Sequence, residues 1–283
     1  MNALKVKALL HQFFIEDVGD QDLTSEAIFS RHETGSAEIV TKQSGVFVGD
    51  SIITEGFQLL NQQAKVQLYI KDGQYVEAGD IIAKVHGPIQ AILTGERVIL
   101  NLIQRMSGIA TMTFQARKIM EGTHTQICDT RKTTPGLRGL EKYAVRMGGG
   151  VNHRFGLYDG VMLKDNHIAY AGSIKNAVLK VKEYIGPMVK VEVEIETLEQ
   201  LKEAVEADVD IIMFDNCDPQ TIKKWISQVP NHITTEASGG MNLNNIALYK
   251  DTGVDYISLG ALTHSVQSLD ISLNVEEMNY ELV

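Results

Sequence analysis

The chain has 283 residues, 44% of them hydrophobic and 22% charged, and its formal net charge is −10. This apolar content excludes a disordered protein, and the length allows one large domain or two ordinary ones. The acidic balance argues against nucleic-acid and anionic-membrane partners, although it leaves room for a local basic pocket. The chain has two cysteines, an N-terminal segment interrupted by acidic residues, and no run of about 18 apolar residues. We therefore expect a cytoplasmic, soluble protein.

Short apolar runs and glycine turns alternate before residue 95. The turn at 72–73 is an Asp-Gly pair, which reaches positive φ at little cost. We therefore predict strands on either side of the turns, at 66–70, 74–76 and 81–85. From Glu96 the apolar period becomes that of a helix, with apolar side chains at Val98, Leu102, Met106 and Ile109.

Beyond residue 125, short β runs alternate with helical stretches. Between two of these runs, Thr197 is followed three residues later by Gln200, a spacing typical of a helix capping box. Strand–helix alternation predicts a parallel α/β sheet that closes into a barrel, whose active site lies at the carboxyl ends of the strands. The six predicted strands cover 126–129, 161–164, 189–195, 211–214, 234–237 and 256–259.

A basic segment occupies residues 129–165. It contains seven Lys and Arg against four Asp and Glu, which gives a charge of +3 inside a chain of −10. The segment is either an anion site, because guanidinium groups bind carboxylates and phosphates bidentately, or a solvated, salt-bridged loop. Arg131 and Lys132 end a predicted strand, and the glycines at 148–150 would let the backbone approach a ligand closely. This placement favours the anion site.

An acidic pattern follows in the run VEVEIE at 191–196. Glu192, Glu194 and Glu196 alternate with aliphatic residues, so we place all three on one face of a strand. Neither face of a barrel strand meets bulk water, and acids there need cations. Asp215 adds a carboxylate at the end of the next strand. Paired carboxylates beside a phosphate-bearing substrate suggest Mg²⁺, and the alternative is that they balance the basic segment.

Glycine-rich loops follow the last two predicted strands, EASGGM at 236–241 and SLGALTH at 258–264. Loops at these positions of a barrel commonly bind a phosphate through backbone N–H groups. One Gly-Gly pair is a weak signal, but two such loops on the final two strands favour a phosphate site.

These segments together resemble the quinolinate phosphoribosyltransferase family, also called the carboxylating nicotinate-nucleotide pyrophosphorylases. The most specific motifs are DTRKTTPGLR at 129–138 and GGGVNHR at 148–154. Further matching stretches run through nearly the whole chain, at 16–24, 96–111, 141–147, 164–168, 191–194, 214–216, 236–240 and 260–265. The complete motif set makes a divergent branch of the family, linked to molybdate transport loci, the less suitable placement.

The resemblance implies a two-domain α/β fold. An N-terminal α/β sandwich domain would cover residues 1–105, and an irregular TIM-like α/β barrel of about seven strands would cover 106–264. The C-terminal segment, 265–283, would return to the first domain. The family forms homodimers in which an arginine, here Arg97, reaches across the interface into the partner's barrel.

The resemblance also implies a reaction, in which quinolinate and phosphoribosyl pyrophosphate give nicotinate mononucleotide, pyrophosphate and CO2 on the way to NAD. It assigns quinolinate to a cationic set, Arg97, Arg131, His153, Arg154 and Lys164. Groups at the reacting centre and pyrophosphate would be Lys132, Lys164, Glu194 and Asp215. The two carboxylates of that set would hold Mg²⁺. The 5′-phosphate would lie on Ser238, Gly239, Gly240, Gly260 and His264.

Two other functions remain open at this point. A phosphoribosyltransferase acting on another pyridine or a sugar phosphate would share the phosphate loops but need fewer arginines. A biotinyl or lipoyl carrier is faintly suggested by DGQYVEAGDIIAKVHG at 72–87. Such carriers present their modified lysine at a hairpin tip, whereas Lys84 lies inside a predicted strand.

Overall fold

The computed structural model describes residues 1–275 and divides the chain into two compact units. Unit 1 contains residues 1–112 and the C-terminal segment from Val266, and unit 2 contains residues 113–265. The division falls inside a long helix, at 112/113, where the resemblance implied 105/106. Of the predicted returning segment 265–283, residues 276–283 lie outside the described part of the chain.

Unit 1 is built on an antiparallel sheet with the strand order β12-β1-β5-β3. Its strands are β1 (Thr34–Thr41), β3 (Lys65–Leu68), β5 (Ile81–Pro88) and β12 (Ile271–Val275), and a two-stranded sheet pairs β2 (Gly45–Val46) with β4 (Tyr75–Val76). Three helices accompany these sheets, α1 (Ala3–Val18), α2 (Leu23–Ile28) and α3 (Asp50–Leu60). The sheet and helices together form an α/β sandwich, as predicted.

The helix predicted from Glu96 is α4, Ile89–Ile119. The four apolar positions that predicted it are all buried, which confirms its inner face. The helix starts earlier than predicted, directly after β5. Gly108 lies in mid-helix because a Cβ there would stand 2.2 Å from the backbone oxygen of Gln267, so the C-terminal segment can approach only a glycine.

The carrier-domain alternative is contradicted by the position of Lys84. This residue lies in the middle of β5, where it pairs with Glu38 of β1 and Gln67 of β3. A modifiable lysine would have to lie at an exposed hairpin tip. The turns on either side of β4 are as predicted, with Gly73 and Gly79 at positive φ.

Unit 2 contains a sheet whose six strands are all paired in parallel, in the order β6-β11-β10-β9-β8-β7. The strands are β6 (Gln126–Cys128), β7 (Val161–Leu163), β8 (Val191–Ile195), β9 (Ile211–Asp215), β10 (Thr234–Ser238) and β11 (Tyr256–Ser258). All six correspond to predicted strands. The seventh strand implied by the resemblance is reduced, within the described residues, to one bridge between Val151 and Cys128.

Helices connect these strands and keep the sheet parallel. They are α5 (Arg138–Met147), α6 (Asp165–Ala171), α7 (Ile174–Tyr184), α8 (Leu198–Glu206), α9 (Pro219–Trp225) and α10 (Ala261–His264). The predicted capping box is present at the start of α8, where Thr197 and Gln200 bond each other's backbone. Within residues 1–275, no helix is both long and apolar enough to cross a lipid bilayer.

The register of the strands stacks polar side chains in layers along the barrel interior. Glu194 pairs with Met213, and Met213 pairs with Glu236, so two glutamates flank one strand at nearly the same height. One step nearer the carboxyl ends, Asp215 pairs with Ser238. Because side chains alternate along a strand, Glu192 and Glu194 of β8 share the interior face. The barrel interior is therefore rich in acids from the middle of the strands to their carboxyl ends.

Candidate active site

A buried ion pair organises the start of the basic segment. Asp129 follows β6, Lys142 lies on α5, and both side chains are fully buried and in contact. Lys142 also donates to the backbone oxygen of His153 at 3.0 Å, and Asp129 accepts from the His153 N–H at 2.9 Å and from Asn152 at 2.6 Å. Burial raises the pKa of Asp129, although Lys142 opposes that effect. This pair therefore fixes the loop that carries His153.

Two guanidinium groups lie close together at the same end of the barrel. Burial lowers the pKa of Arg154, and the nearby positive charge of Arg131 lowers it further. One terminal nitrogen of Arg154 donates to the Gly160 carbonyl at 2.8 Å. The Nε atoms of both arginines are buried and, among the described residues, have no hydrogen-bond partner. Two adjacent cations with unused donors are suited to an anion that carries more than one negative charge.

The ring of His153 is held on both sides by protein. Its Nε2 lies 2.9 Å from Glu192 and 3.6 Å from Glu236, and its Nδ1 accepts the Arg154 backbone N–H at 2.9 Å. Burial lowers the pKa of His153, but Glu192 and then Glu236 outweigh this effect and the pKa is raised. Because Nδ1 accepts the Arg154 N–H, the neutral ring carries its proton on Nε2, which donates to Glu192. The assignment of His153 to quinolinate stays a prediction.

Lys164 and the carboxylates meet at the ends of β7, β8 and β9. Lys164 caps α6 and forms an ion pair with Glu194. Burial raises the pKa of Glu194, Lys164 lowers it, and the negative charge of Asp215 raises it again. Asp215 accepts a hydrogen bond from its neighbour Asn216 at 2.9 Å. Lysine thus neutralises Glu194, whereas no ion pair is found for Asp215 in the described part of the chain.

The shape of the loop after β10 depends on the close contact between Gly239 and Asn216. Asn216 has a positive φ of 51°, and its N–H donates to the Ser238 carbonyl at 2.9 Å. A Cβ on Gly239 would stand 2.2 Å from the Asn216 side-chain oxygen, whereas one on Gly240 would meet nothing within 4 Å. The loop therefore exposes backbone at Gly240 while Gly239 provides the contact that shapes it.

The loop after β11 contacts Lys132. The Thr263 hydroxyl donates to the Lys132 carbonyl at 2.8 Å, and a Cβ on Gly260 would stand 2.9 Å from the Lys132 side chain. His264 is exposed, and its Nδ1 lies 2.6 Å from the Ser265 hydroxyl. These contacts join the end of the first barrel strand to the end of the last one.

Two sequence interpretations need correction, and one predicted site residue, Arg97, lies away from this cluster. The glycines at 149 and 150 serve protein packing rather than ligand approach, because a Cβ on either would stand within 3 Å of Arg117 or Thr113. Glu196 lies beyond β8 and is exposed, so only two of the three predicted acids lie on the strand. Arg97 lies on α4 in unit 1, with a largely exposed side chain that is 3.7 Å from Glu96.

Sequence reasoning missed the roles of Glu236 and Asn216. Glu236 stands two residues before Ser238, so the period of a strand places it on the same interior face. This period can be read from the sequence. The residues that lie beside Glu236 are known only from the register of β9 and β10. Asn216 gives no sequence signal for its positive φ beyond the tolerance of asparagine for that region.

The donor set is compatible with a magnesium ion. Mg²⁺ usually keeps several waters and takes one or two protein carboxylates together with substrate phosphates. Asp215 offers a carboxylate with no cation among the contacts described, and Glu194 offers a second that Lys164 already balances. We therefore expect Asp215 to contribute more than Glu194 to any such site.

Comparison with known proteins decides the family. The model for the N-terminal domain of quinolinate phosphoribosyl transferase matches residues 22–107, and the model for its C-terminal domain matches residues 109–274. The chain belongs to the quinolinate phosphoribosyl transferase family. The resemblance stated from the motifs is thereby confirmed.

Relatives of this family member are similar over nearly their whole length. A Bacillus subtilis protein named probable nicotinate-nucleotide pyrophosphorylase (carboxylating) is 57% identical over 279 residues, covering 99% of this chain and 96% of the relative. The Mycobacterium leprae nicotinate-nucleotide pyrophosphorylase (carboxylating) is 38% identical over 271 residues, covering 90% and 91%.

Solved structures of the family confirm the fold class. The crystal structure of NadC from Streptococcus pyogenes superimposes with a TM-score of 0.93 at 38% identity and covers 98% of this chain and 99% of that chain. The nicotinate-nucleotide pyrophosphorylase from Francisella tularensis gives a TM-score of 0.93 at 36% identity, with 98% of each chain covered. The chain therefore has the irregular TIM-like barrel and the N-terminal α/β sandwich.

Proposed function

We propose that this protein is a carboxylating nicotinate-nucleotide diphosphorylase of NAD biosynthesis. It transfers the phosphoribosyl group of phosphoribosyl pyrophosphate to quinolinate and releases pyrophosphate and CO2, leaving nicotinate mononucleotide. The observation that carries this proposal is the Arg131–Arg154 pair, whose buried Nε atoms have no partner among the described residues. A dianion such as quinolinate supplies the two negative charges that this pair needs.

The chemistry needs positioned charges rather than a protein nucleophile. Arg131 and Arg154 hold the two carboxylates and so present the ring nitrogen to the ribose C1′. As the nitrogen attacks, pyrophosphate leaves and the ring becomes a cation, which draws electrons from the adjacent carboxylate and releases CO2. Fixed cations around such a reaction stabilise the charge that develops in the transition state.

The pyrophosphate side involves Lys132, Lys164 and the acids beside them. Lys164 is held by Glu194, so its ammonium group is fixed near the reacting centre. Mg²⁺ bound by Asp215 and Glu194 would neutralise the pyrophosphate as it departs. The 5′-phosphate lies on the backbone of the loops after β10 and β11, at Ser238, Gly239, Gly240, Gly260 and His264.

We infer that the enzyme is a cytoplasmic homodimer. Arg97 is the one member of the predicted quinolinate set that lies in unit 1, on α4. Its side chain is largely exposed, so it is free to reach a partner's barrel. The two cysteines are free and buried, which suits a reducing compartment.

A lysine substitution tests the arginine pair. Arg154→Lys keeps one charge but loses the bidentate fork, so binding of quinolinate should weaken by about 1.5–3 kcal/mol, or roughly 10- to 150-fold. Binding of phosphoribosyl pyrophosphate and of the monoacid nicotinate should change by less than about 3-fold. Titration calorimetry of wild type and variant with all three ligands measures this. Equal losses for every ligand would defeat the assignment.

A further inference from the structure

Two guanidinium groups of like charge lie close together in the predicted carboxylate site. Burial lowers the pKa of Arg154, and the positive charge of Arg131 lowers it further, so the two groups repel each other before a dianion binds. They belong to different loops, because Arg131 follows β6 and Arg154 precedes β7. The distance between their donors therefore depends on the contacts that connect these two loops.

The first connection is the buried pair of Asp129 and Lys142. It lies at the base of both loops, since Asp129 precedes Arg131 in the chain and Lys142 donates to the backbone of His153, the residue before Arg154. Asp129 accepts the His153 N–H as well, at 2.9 Å. This pair fixes where the two loops leave the barrel, and a second connection lies further along both of them.

Arg138, the first residue of α5, provides the second connection. Its Nε donates to the Thr133 hydroxyl at 2.9 Å, and its Nη1 donates to the Phe155 carbonyl at 2.9 Å. Thr133 lies two residues after Arg131, and Phe155 follows Arg154 directly. One rigid, planar guanidinium group thus fixes the first loop against the second, close to both predicted ligands.

The second loop is closed on itself, so the position of its backbone is passed on to Arg154. Asp159 accepts the Phe155 N–H at 2.6 Å, and Arg154 donates to the Gly160 carbonyl at 2.8 Å. Phe155 is therefore held at its N–H by Asp159 and at its carbonyl by Arg138. A shift of this peptide would move the adjoining Arg154 with it.

Arg138 differs from the two predicted ligands in what its donors face. The Nε atoms of Arg131 and Arg154 are buried without a hydrogen-bond partner among the described residues, whereas the Nε of Arg138 is bonded to Thr133. Unused donors suit the binding of a dianion. Donors that are bonded to two protein loops suit the positioning of those loops.

We propose that Arg138 is a positioning residue that sets the distance between Arg131 and Arg154, and through it the preference for a diacid over a monoacid; this proposal rests on the proposed function. Both carboxylates of quinolinate must meet their guanidinium groups in one pose, so a change in the spacing of these groups weakens binding. Nicotinate has a single carboxylate, which can follow either arginine. Loss of Arg138 should therefore weaken quinolinate more than nicotinate.

Arg138→Met tests this proposal, because it removes both hydrogen bonds and keeps most of the aliphatic side chain. The Kd of quinolinate should rise about 10-fold or more and that of nicotinate less than about 3-fold, as measured by titration calorimetry. The matched control Arg146→Met alters an exposed arginine on the same helix. It should leave both dissociation constants unchanged.

Two further variants separate positioning from direct binding of the anion. Thr133→Val removes only the acceptor of the Nε bond, so it should lower the quinolinate preference about 3-fold or more. Adding it to Arg138→Met should cause no further loss, because that bond is already absent. Arg138→Lys keeps the charge but not the planar fork and should not restore the preference.

An unchanged quinolinate preference in a folded Arg138→Met would overturn the proposal. Additive losses in the double variant, or full recovery in Arg138→Lys, would also overturn it and make Arg138 a direct ligand of the anion. If Arg138→Met does not fold, the preference of Thr133→Val decides the matter. If wild type binds quinolinate no better than nicotinate, the proposed function itself has failed.

Discussion

Glu194 and Asp215 end neighbouring strands, yet their partners differ. Lys164 pairs with Glu194, whereas the hydrogen bond found for the Asp215 side chain within residues 1–275 comes from the Asn216 amide. We therefore expect Asp215 to contribute more than Glu194 to a magnesium site. We predict that Asp215→Asn raises the Mg²⁺ concentration for half-maximal activity by about 10-fold or more, with little effect on quinolinate binding alone.

Activity measured against Mg²⁺ concentration checks this prediction. Asp251→Asn is the matched control, because it changes an exposed carboxylate away from the strand ends and should leave the magnesium curve unchanged. Turnover that is indifferent to EDTA in wild type would mean that Glu194 and Asp215 only balance the basic residues.

Candidate site residues could be picked out from the sequence where the type of side chain itself indicates the chemistry. Arg131 and Arg154 stand out because a basic cluster is rare in an acidic chain. The buried pair of Asp129 and Lys142 was counted with that cluster, since nothing in the sequence separates a solvated charge from one buried in an ion pair. Only the path of α5 past the end of β6 brings these two side chains together.

At the scale of elements, the loop after β10 gives a sharp comparison between adjacent glycines. Both have positive φ, but only Gly239 lies against Asn216. Gly240→Ala should cost about 1 kcal/mol of folding free energy for its backbone conformation. Gly239→Ala should cost about 3 kcal/mol, because the added Cβ must displace Asn216.

Urea unfolding measures the two stabilities, and binding of phosphoribosyl pyrophosphate reports the loop itself. We expect Gly239→Ala to weaken that binding more than Gly240→Ala does. The reverse order would show that the close contact with Asn216 does not shape the phosphate loop.

Elements with a clear period were the ones the sequence predicted. The six barrel strands have short runs between turn signals and were located to within a few residues, whereas α4 has a strong helical stripe but starts at Ile89, before the predicted Glu96. Strand β1 and helices α1 to α3 were not predicted. Strand β1 owes its place to pairing with β5 and β12, which are distant in sequence. The sequence pattern within β1 carries no information about pairing strands that are distant in the chain.

At the scale of the whole molecule, the dimer proposal makes each site depend on two chains. In a two-fold dimer, Arg97 would come from one chain and Asp215 from the other. A hybrid of Arg97→Ala and Asp215→Ala subunits would then contain one site with both defects and one with neither. It should recover about half of the wild-type activity, although each parent dimer is inactive.

Co-expression with two different tags allows the hybrid to be purified for assay. Wild type carrying the same two tags is the control for the effect of the tags. A hybrid that is dimeric but inactive would show that Arg97 serves its own chain, and would leave the enzyme assignment intact.

The central claim, decarboxylating phosphoribosyl transfer to quinolinate, is tested most directly by product stoichiometry. Purified protein is incubated with phosphoribosyl pyrophosphate, Mg²⁺ and quinolinate labelled in its 2-carboxylate, and CO2 and nicotinate mononucleotide are measured together. We predict that labelled CO2 and the mononucleotide appear in equal amounts and that neither forms when either substrate is omitted. Mononucleotide made from nicotinate, with quinolinate left intact, would contradict the account.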